Sequence, residues 1–369
     1  MGNLLSGVFY IICFGLSYIL YKTADKYKNT NRLMANVVKM MAILIPVVLA
    51  AFRYNVGTDF RNYNFAITYE RNHGWNYFSY PARVKLEIGF WFVVKVAATL
   101  FQSNVAVWFV LYLIMFFFLE RGFAFYAQTQ KYSVEIGYFI FLIYYYSSSL
   151  NITRQIIALS IIFYASRFVF ENKKRFFVFV ILATLFHYTA IISVVMWVLW
   201  DHKNNRPQRK QVMMVIDSIL IVFFLTYKWI YKLLCRIPFL DFLRRYEYAL
   251  FNNPGKNRTY ILTVFISVLI IVLWKRLVRL NEKNEFCLQM VLFNLIIGYG
   301  ALSNKIIFRL SLYFEIFYLI LFPQIPYLFT KNSRNFARAG IVLYWLIYFI
   351  GVYVIIGNGE IVPYMSIWR

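Results

Sequence analysis

Apolar residues of this chain fall in long blocks, which short polar or basic segments separate. Most blocks have the length, roughly 17–25 residues, at which an α-helix crosses the hydrocarbon core of a membrane. The blocks that predict membrane spans are Leu4–Tyr21, Leu33–Phe52, Val105–Leu119, Ile136–Leu150, Ile152–Phe170, Val212–Tyr227, Tyr260–Leu277, Phe286–Leu302, Ile306–Phe329 and Ile341–Ile356. The pattern therefore predicts a chain that crosses a membrane about ten times as α-helices.

Two further apolar stretches do not fit a simple crossing. Ile88–Phe101 is short for a span and carries Lys95, whereas Phe176–Trp200 is too long for one upright span and too short for two. Basic clusters flank the second stretch on both sides, and the positive-inside rule places both clusters in the cytoplasm. We therefore expect Phe176–Trp200 to enter and return as a broken, re-entrant segment with its turn near His187.

These patterns predict an all-α, polytopic integral membrane protein with about 10–12 transmembrane helices and re-entrant segments. The composition agrees, because the chain is 62% hydrophobic and 21% aromatic, whereas a soluble domain is nearer half apolar. We expect one transmembrane domain, 1–369, with both termini outside. Two loops, 53–87 and 228–257, are expected on the outer face, and the second is expected to lie at the membrane interface.

The formal net charge of +24 predicts membrane orientation rather than a nucleic-acid partner. Most Lys and Arg residues lie in short segments between spans, as the positive-inside rule describes. Cys13, Cys235 and Cys287 lack the spacing of a metal or redox site. His187 is the single histidine inside an apolar segment, so no transition-metal site is predicted.

The segment that follows the second span carries candidate chemistry in a short space. Arg53, Gly57, Asp59 and Tyr63 all lie at the predicted outer mouth of that span. Asp59 has two interpretations. It is either an N-cap or turn residue that begins a helix, or it is a general base or a partner that orients an arginine, for which Arg53 is the nearby candidate.

Ionisable residues inside predicted spans are costly in hydrocarbon and therefore mark functional candidates. Arg154 either snorkels to the surface from the end of its span or binds substrate, and Arg309, a turn deeper, has the same alternatives. Tyr313 lies four residues after Arg309, on the same helical face. His187 is either a hydrogen-bonded packing residue or a group that donates to a phosphate or accepts a proton.

Three arginines, a histidine and an acid on one predicted side of the membrane suit a polyanion such as a diphosphate. The reason is that a guanidinium group matches phosphate oxygens in pairs. Spacing along the chain does not establish that these residues converge.

The motifs that carry a family resemblance occur in order along nearly the full chain. They are Arg53-x3-Gly57-Thr58-Asp59-Phe60-x2-Tyr63, Glu87-Ile88-Gly89-Phe90, Thr153-Arg154-Gln155-x2-Ala158, Leu185-Phe186-His187-Tyr188-x-Ala190, Arg309-x3-Tyr313-Phe314 and Ile361-Val362-Pro363-Tyr364. In these motifs the sequence resembles the EpsG/Wzy-type family of bacterial polysaccharide polymerases. Phe60 departs from the pattern, since the family often has tyrosine there; the change removes a hydroxyl and keeps the aromatic packing.

The resemblance implies a GT-C-like glycosyltransferase of the bacterial cytoplasmic membrane, active in exopolysaccharide, capsule or O-antigen synthesis. It implies transfer of a growing glycan from undecaprenyl diphosphate onto the sugar end of a lipid-linked repeat unit at the outer face, without a metal or other cofactor. The implied partners are the undecaprenyl-diphosphate-linked repeat units, membrane lipids, a flippase and a chain-length regulator.

The site residues expected on this basis fall into three groups. The catalytic residues are Asp59, Arg154, His187 and Arg309. The diphosphate-binding residues are Arg53, Arg154, Arg309 and Tyr313. The substrate-binding residues are Gly57, Tyr63, Glu87, Gln155 and Tyr364, with Trp75, Tyr77 and Tyr80 expected to stack on sugars.

Three other functions fit a polytopic protein with outer-face cations. An O-antigen-ligase-type transferase uses the same donor and a different acceptor. A flippase or transporter for the lipid-linked unit would need arginines along a path through the membrane, and usually repeat symmetry, which the sequence lacks. A sugar acyltransferase would need a histidine near the cytoplasmic side.

Overall fold

The computed structural model describes residues 2–28, 30–79, 86–201, 206–208, 210–236, 259–301 and 305–368. Within these residues the chain is helical apart from one antiparallel pair of two-residue strands. The predicted all-α class is therefore confirmed.

The helices and strands follow one another with short connections. The α-helices are α1 Asn3–Tyr27, α2 Arg32–Ala51, α3 Phe60–Asn72, α4 Ile88–Phe101, α5 Asn104–Thr129, α6 Val134–Ile140, α7 Ser147–Ser149, α8 Thr153–Ala165, α9 Lys173–Phe186, α10 Val195–Val198, α11 Lys210–Leu234, α12 Thr259–Val272, α13 Trp274–Leu280, α14 Asn284–Ala301, α15 Lys305–Glu315, α16 Tyr318–Leu321 and α17 Arg334–Phe349. The π-helical turns are Phe141–Tyr146 and Ile350–Ile355, and the 3₁₀ turns are Tyr77–Ser79, Ser166–Val169, Tyr188–Val194, Phe322–Leu328 and Asn358–Glu360. The strands are β1 Trp200–Asp201 and β2 Arg206–Pro207.

Several of these helices are long and apolar enough to cross a membrane. Five meet that condition in the described part of the chain: Asn3–Tyr27, Arg32–Ala51, Asn104–Thr129, Phe308–Leu328 and Arg334–Ile355. The number rises to seven if each of two bent pairs, Lys210–Phe223 with Leu225–Leu233 and Ile261–Val272 with Trp274–Leu280, forms one span. The protein is thus a multi-pass membrane protein, while the count of 10–12 spans and the side of each loop stay predictions.

The two stretches that did not fit a simple crossing are short or broken. Helix α4 has 14 residues, a length of about 21 Å against a hydrocarbon core of about 30 Å. The stretch Phe176–Trp200 contains the end of α9 at Phe186, and a 3₁₀ turn starts at Tyr188. The predicted break near His187 is therefore present.

The predicted outer loops are only partly described. The segment 53–87 contains α3 and a 3₁₀ turn and is not a simple loop. Of the segment 228–257, residues 228–234 continue α11, and residues 237–257 lie outside the described residues.

The predicted domain comprises two compact units. The first contains residues 1–167, 174–191 and 322–369, and the second contains residues 168–173 and 192–321.

A proline inside α2 shapes the core of the first unit. Pro46 lacks an amide hydrogen, so the carbonyl of Ala42, four residues earlier, has no helical donor. The hydroxyls of Ser17 and Tyr138 donate to that carbonyl at 2.7 and 3.1 Å. Tyr146 donates in turn to the carbonyl of Pro46 at 2.7 Å. Such polar contacts fix neighbouring helices where lipid offers the backbone no hydrogen bonds.

Close helix crossings in the first unit depend on small residues. A Cβ at Gly122 of α5 would lie 2.5 Å from ring atoms of Phe163 on α8. The Phe163 ring therefore lies directly on the α5 backbone, closer than an alanine at position 122 would allow, and a small residue gives the two helices this van der Waals contact.

The second unit has its own buried polar centre around Tyr318. Asn294 Nδ2 donates to the Tyr318 hydroxyl at 3.0 Å, and this hydroxyl donates to the carbonyl of Thr263 at 3.3 Å. These contacts join α12, α14 and α16 by hydrogen bonds rather than by apolar packing alone.

Lys95 connects α3 to α4 in the first unit. Its ammonium group is buried and donates to the carbonyl of Glu70 at 2.6 Å and to the carbonyl of His73. It also lies 3.7 Å from the Glu70 carboxylate, and both side chains are 2% exposed. The cation thus satisfies the carbonyl end of α3, where positive charge is favourable.

Replacing Lys95 with methionine should destabilise the protein by about 3–5 kcal/mol, because a buried carboxylate then loses its cation. A thermal melt of the detergent-solubilised protein measures this as a lower Tm. The double variant Lys95→Met, Glu70→Met should recover part of the loss. The exposed residue Lys22 supplies the control, and equal Tm values for Lys95→Met and Lys22→Met would contradict the assignment.

Candidate functional site

Arg53 lies in the first residues after α2 and is almost completely buried, with 1% of its surface exposed. Its Nη1 donates to the hydroxyl of Tyr112 at 2.7 Å, and that hydroxyl donates to the carbonyl of Ser149 at 3.1 Å. Its guanidinium carbon lies 4.2 Å from the ring centroid of Trp108, a cation–π contact. Its Nε and Nη2 atoms have no hydrogen-bond partner among the described residues.

A cavity of about 250 Å³ adjoins the Arg53 side chain. Its polar lining includes Arg53, Arg71, Asn64 and Asn104, and Trp108 forms part of the apolar wall. Two arginines and two amides offer several donors and little negative charge, which suits an anionic or hydroxyl-rich ligand.

Gly57 gives the loop after Arg53 its shape. Its φ of +94° lies where side chains are disfavoured, and a Cβ would lie 2.4 Å from the carbonyl oxygen of Leu150. The next residue, Thr58, donates from its amide and its hydroxyl to Asn151 Oδ1 at 2.6 and 2.9 Å. The loop is therefore fixed to the start of α8, which carries Arg154.

The C-terminal segment holds the same loop from the other side. Gly57 N donates to the carbonyl of Glu360 at 3.0 Å, and Tyr54 N donates to the carbonyl of Met365 at 2.8 Å. The Tyr364 hydroxyl donates to the carbonyl of Leu49 at 3.1 Å. Tyr364 thus contacts the end of α2, whereas its predicted substrate contact stays a prediction.

Glu87 is the acidic centre of the site. It precedes α4, and its side chain is 3% exposed. One carboxylate oxygen accepts from Arg154 Nη1 at 2.5 Å, and the other lies 2.9 Å from His187 Nδ1. The carboxylate therefore joins the start of α4, the start of α8 and the break after α9.

A glycine allows these elements to meet. A Cβ at Gly89, two residues after Glu87, would lie 2.8 Å from Cβ of Leu185. The absence of a side chain at Gly89 brings the start of α4 against the last turn of α9, and so brings Glu87 within reach of His187.

The pKa of Glu87 is lowered from its ordinary value of 4.5. Burial alone would raise this pKa, but the hydrogen bond from His187 and the positive charge of Arg154 outweigh burial. The carboxylate is therefore ionised at neutral pH.

Two aromatic residues connect Arg53 to Arg154. Arg154 Nε donates to the Tyr63 hydroxyl at 3.3 Å. The Tyr63 ring meets the Trp108 ring edge to face at 5.9 Å, and Trp108 lies against Arg53. Both arginines thus belong to one cluster in the first unit, with Trp108 and Tyr63 between them.

Two other predicted site residues, Asp59 and Gln155, also belong to the first unit. Asp59 stands at the N-cap position of α3, yet its side chain makes no capping hydrogen bond. Among the described residues the Arg53 guanidinium donates to Tyr112 and not to Asp59, so the expected pairing of Arg53 with Asp59 is wrong. Gln155 is buried in α8.

Arg309 and Tyr313 belong to α15 in the second unit. Arg309 is exposed, and Tyr313 is fully buried. Their predicted convergence with the arginines of the first unit stays a prediction.

Sequence reasoning missed the residues that hold Arg53. Trp108 and Tyr112 lie four residues apart on one face of α5, but their surroundings read as an ordinary apolar span. Asn151 also escaped notice, although an amide at the start of a predicted span is a possible loop anchor. No group of three or more His, Cys, Asp or Glu residues in the described part of the chain is placed to hold a metal ion.

Substitution of Gly57 by alanine should distort the loop after Arg53. The positive φ alone costs about 1–2 kcal/mol for a residue with a Cβ, and the contact with Leu150 adds to this cost. We expect a lower Tm in detergent and loss of any activity that depends on the position of Arg53. Gly15→Ala is the control, because Gly15 lies within α1 with nothing within 4 Å of an added Cβ; equal effects of both changes would contradict the assignment.

The stability contributed by Glu87 should depend on pH. A carboxyl group whose pKa is lowered on folding stabilises fully above its ordinary pKa, and this stabilisation is lost as pH falls through the lowered value. The Tm difference between the wild type and Glu87→Gln should therefore be largest near neutral pH and shrink below pH 4.5. The same comparison for the exposed residue Glu282 should show no such trend; a Glu87→Gln difference that is constant with pH would contradict the ion pair with Arg154.

Comparisons with known proteins place these residues in a family. Neither a search of curated proteins nor a search of solved structures gave a match. The EpsG family model matches residues 36–366, which include Arg53, Glu87, Arg154, His187 and Arg309. The match covers nearly the whole chain and bears out the resemblance seen in the ordered motifs. The chain is therefore a member of the EpsG family, a bacterial family of Wzy-type, polysaccharide-polymerase-like membrane proteins.

Proposed function

We propose that this protein polymerises lipid-linked oligosaccharide repeat units at the outer face of the bacterial cytoplasmic membrane. The growing glycan would pass from undecaprenyl diphosphate to the sugar end of the next lipid-linked unit. The observation that carries the proposal is the buried cluster in which Arg53, with two donor atoms lacking partners, is connected through Trp108 and Tyr63 to Arg154. Membership of the EpsG family supports the same reaction class.

The cluster suits the leaving group of this reaction. The bond between the anomeric carbon and the diphosphate oxygen breaks, and the oxygen keeps the electron pair. Arg53 offers Nε and Nη2 to the negative charge that develops there, inside a buried site where fixed cations stabilise strongly. Arginine donors would in this way perform the charge stabilisation for which many transferases use a metal ion.

The bond-forming half of the reaction needs a base. The acceptor hydroxyl oxygen bonds to the anomeric carbon, and its proton must leave. We assign this proton to Nε2 of His187, because Glu87 lies at Nδ1 and would stabilise the imidazolium as it forms. Glu87 is then a positioning residue rather than a sugar ligand. Asp59, partly exposed and without a capping bond, is the alternative base.

Other parts of the chain would bind the rest of the substrate. Trp75 is exposed and meets Trp91 of α4 edge to face, and Tyr77 packs against the same ring at 5.3 Å. We expect both to contact sugars. Tyr80 lies outside the described residues. Arg309 and Tyr313 keep the diphosphate-binding role proposed from their motif alone. A flippase would supply the units, and a chain-length regulator would control the product.

Two related functions make different use of the same residues. An O-antigen-ligase-type transferase would share the donor chemistry and differ in its acceptor. A flippase or transporter would need cations exposed along a path, whereas Arg53 is held by aromatic rings and Arg154 by a carboxylate. This arrangement of charges held by fixed partners favours group transfer over transport.

The lipid-linked saccharides of cells that lack this protein test the proposal. Single repeat units should accumulate and polymer should disappear. Absence of repeat units from the outer face would instead indicate a flippase, and full-length polymer without its acyl groups an acyltransferase. Polymer that is made but not transferred to its final acceptor would indicate a ligase.

Cells that lack the protein and express its Arg154→Ala variant should make at least about 100-fold less polymer than cells that express the wild type. This is the usual loss when one charge-stabilising donor is removed. Arg154→Lys keeps the ion pair with Glu87 and loses the paired donors, so it should insert normally and give an intermediate level. Arg276→Ala, at an exposed position of the second unit, is the control. Normal polymer from a fully inserted Arg154→Ala protein would remove this residue from the site.

A further inference from the structure

A second cavity, of about 420 Å³, lies at the opposite end of the first unit from Arg53. It is enclosed by the last turn of α1, the first two turns of α2 and the last turns of α5. Space arises there because four of the residues that line the cavity are alanines. These are Ala24, Ala35, Ala124 and Ala127.

The rim of this cavity is basic. Lys28, Arg32 and Lys39 line it, against the single acid Asp25. Lys39 is partly neutralised, because its Nζ lies 3.2 Å from the carboxylate of the half-buried Glu120. Lys28 and Arg32 are therefore the cations placed to meet a ligand, and both are exposed.

The cavity and the candidate site lie at opposite ends of the same helix. Helix α2 runs over 20 residues from Arg32 at the cavity to Ala51 beside Arg53. This length corresponds to about 30 Å, the thickness of a hydrocarbon core. A ligand of the basic cavity thus lies at the other membrane surface from Arg53 and takes no part in the proposed glycan transfer.

An apolar surface continues from the rim along α2. Leu33, Val37 and Met40 are 75%, 47% and 59% exposed, and Leu33 and Met40 are neighbours of the rim residue Asn36 on the helix surface. A molecule with its anionic group at Lys28 and Arg32 can therefore lay hydrocarbon chains on the helix face beside the cavity. A soluble phosphate compound would make no use of that surface.

We propose that this cavity binds the headgroup of an anionic phospholipid. The phosphate would contact Lys28 and Arg32, and the acyl chains would lie along Leu33 and Val37. Asp25 faces the same cavity and opposes the phosphate charge. Each basic residue at a membrane surface raises the affinity for anionic lipids by roughly a factor of five.

Native mass spectrometry of the full-length protein in detergent, titrated with phosphatidylglycerol or phosphatidylcholine, tests this proposal. The wild type should bind phosphatidylglycerol more tightly. The double variant Lys28→Gln, Arg32→Gln should lose about tenfold or more of this affinity. Asp25→Asn should raise the affinity, a gain that damage to the fold would not produce.

The matched control is Lys26→Gln with Lys331→Gln, which removes the same charge from two exposed positions outside the cavity. This control should keep the wild-type affinity, and all variants should keep the wild-type Tm. Equal binding of the two lipids, equal losses in both double variants, or displacement of phosphatidylglycerol by inorganic phosphate would each overturn the proposal.

Discussion

The ion pair of Glu87 with Arg154, together with its hydrogen bond to His187, is the interaction on which the arrangement of the candidate site depends. A buried carboxylate is costly unless cations and hydrogen-bond donors surround it. Arg154 and His187 meet this need from two different segments, so the charge of Glu87 fixes the start of α4, the start of α8 and the break after α9 relative to one another. Loss of Arg154 would leave the Glu87 carboxylate buried without a cation, and loss of Glu87 would leave Arg154 without its counter-charge.

The same constraint explains why so many tyrosines and tryptophans occur in the first unit. Buried polar groups in a membrane protein have little water to bond, so side chains that are apolar along their length and polar at the tip are useful partners. Tyr112 and Trp108 hold the guanidinium of Arg53. Tyr138 satisfies a carbonyl that Pro46 leaves without a helical donor. The aromatic fraction of 21% is therefore a means of holding polar groups as well as an apolar filling.

Local patterns in the sequence were enough for the helical class, for several span boundaries and for the break at His187. They were also enough to single out Arg53, Arg154 and His187, because a charge within an apolar run stands out. The partners of these residues could not be found in the same way. Trp108 and Tyr112 look like ordinary span residues, and Asp59 follows Arg53 closely along the chain although the folded loop directs the guanidinium elsewhere. Glu87 was noticed within its motif, but its shared role depends on contacts with residues 67 and 100 positions away.

The hydrogen bonds between the loop after α2 and the C-terminal segment have a consequence for biosynthesis. Leu49 and Tyr364 are 315 positions apart, so the ribosome must add most of the chain before this contact can form. The early helices will enter the bilayer with Arg53 next to a loop that still lacks half of its supports. Until the C-terminal segment has been synthesised, the early helices are inserted but the loop after Arg53 lacks its hydrogen bonds to residues 359–365, so the candidate site is completed only when the chain is nearly finished.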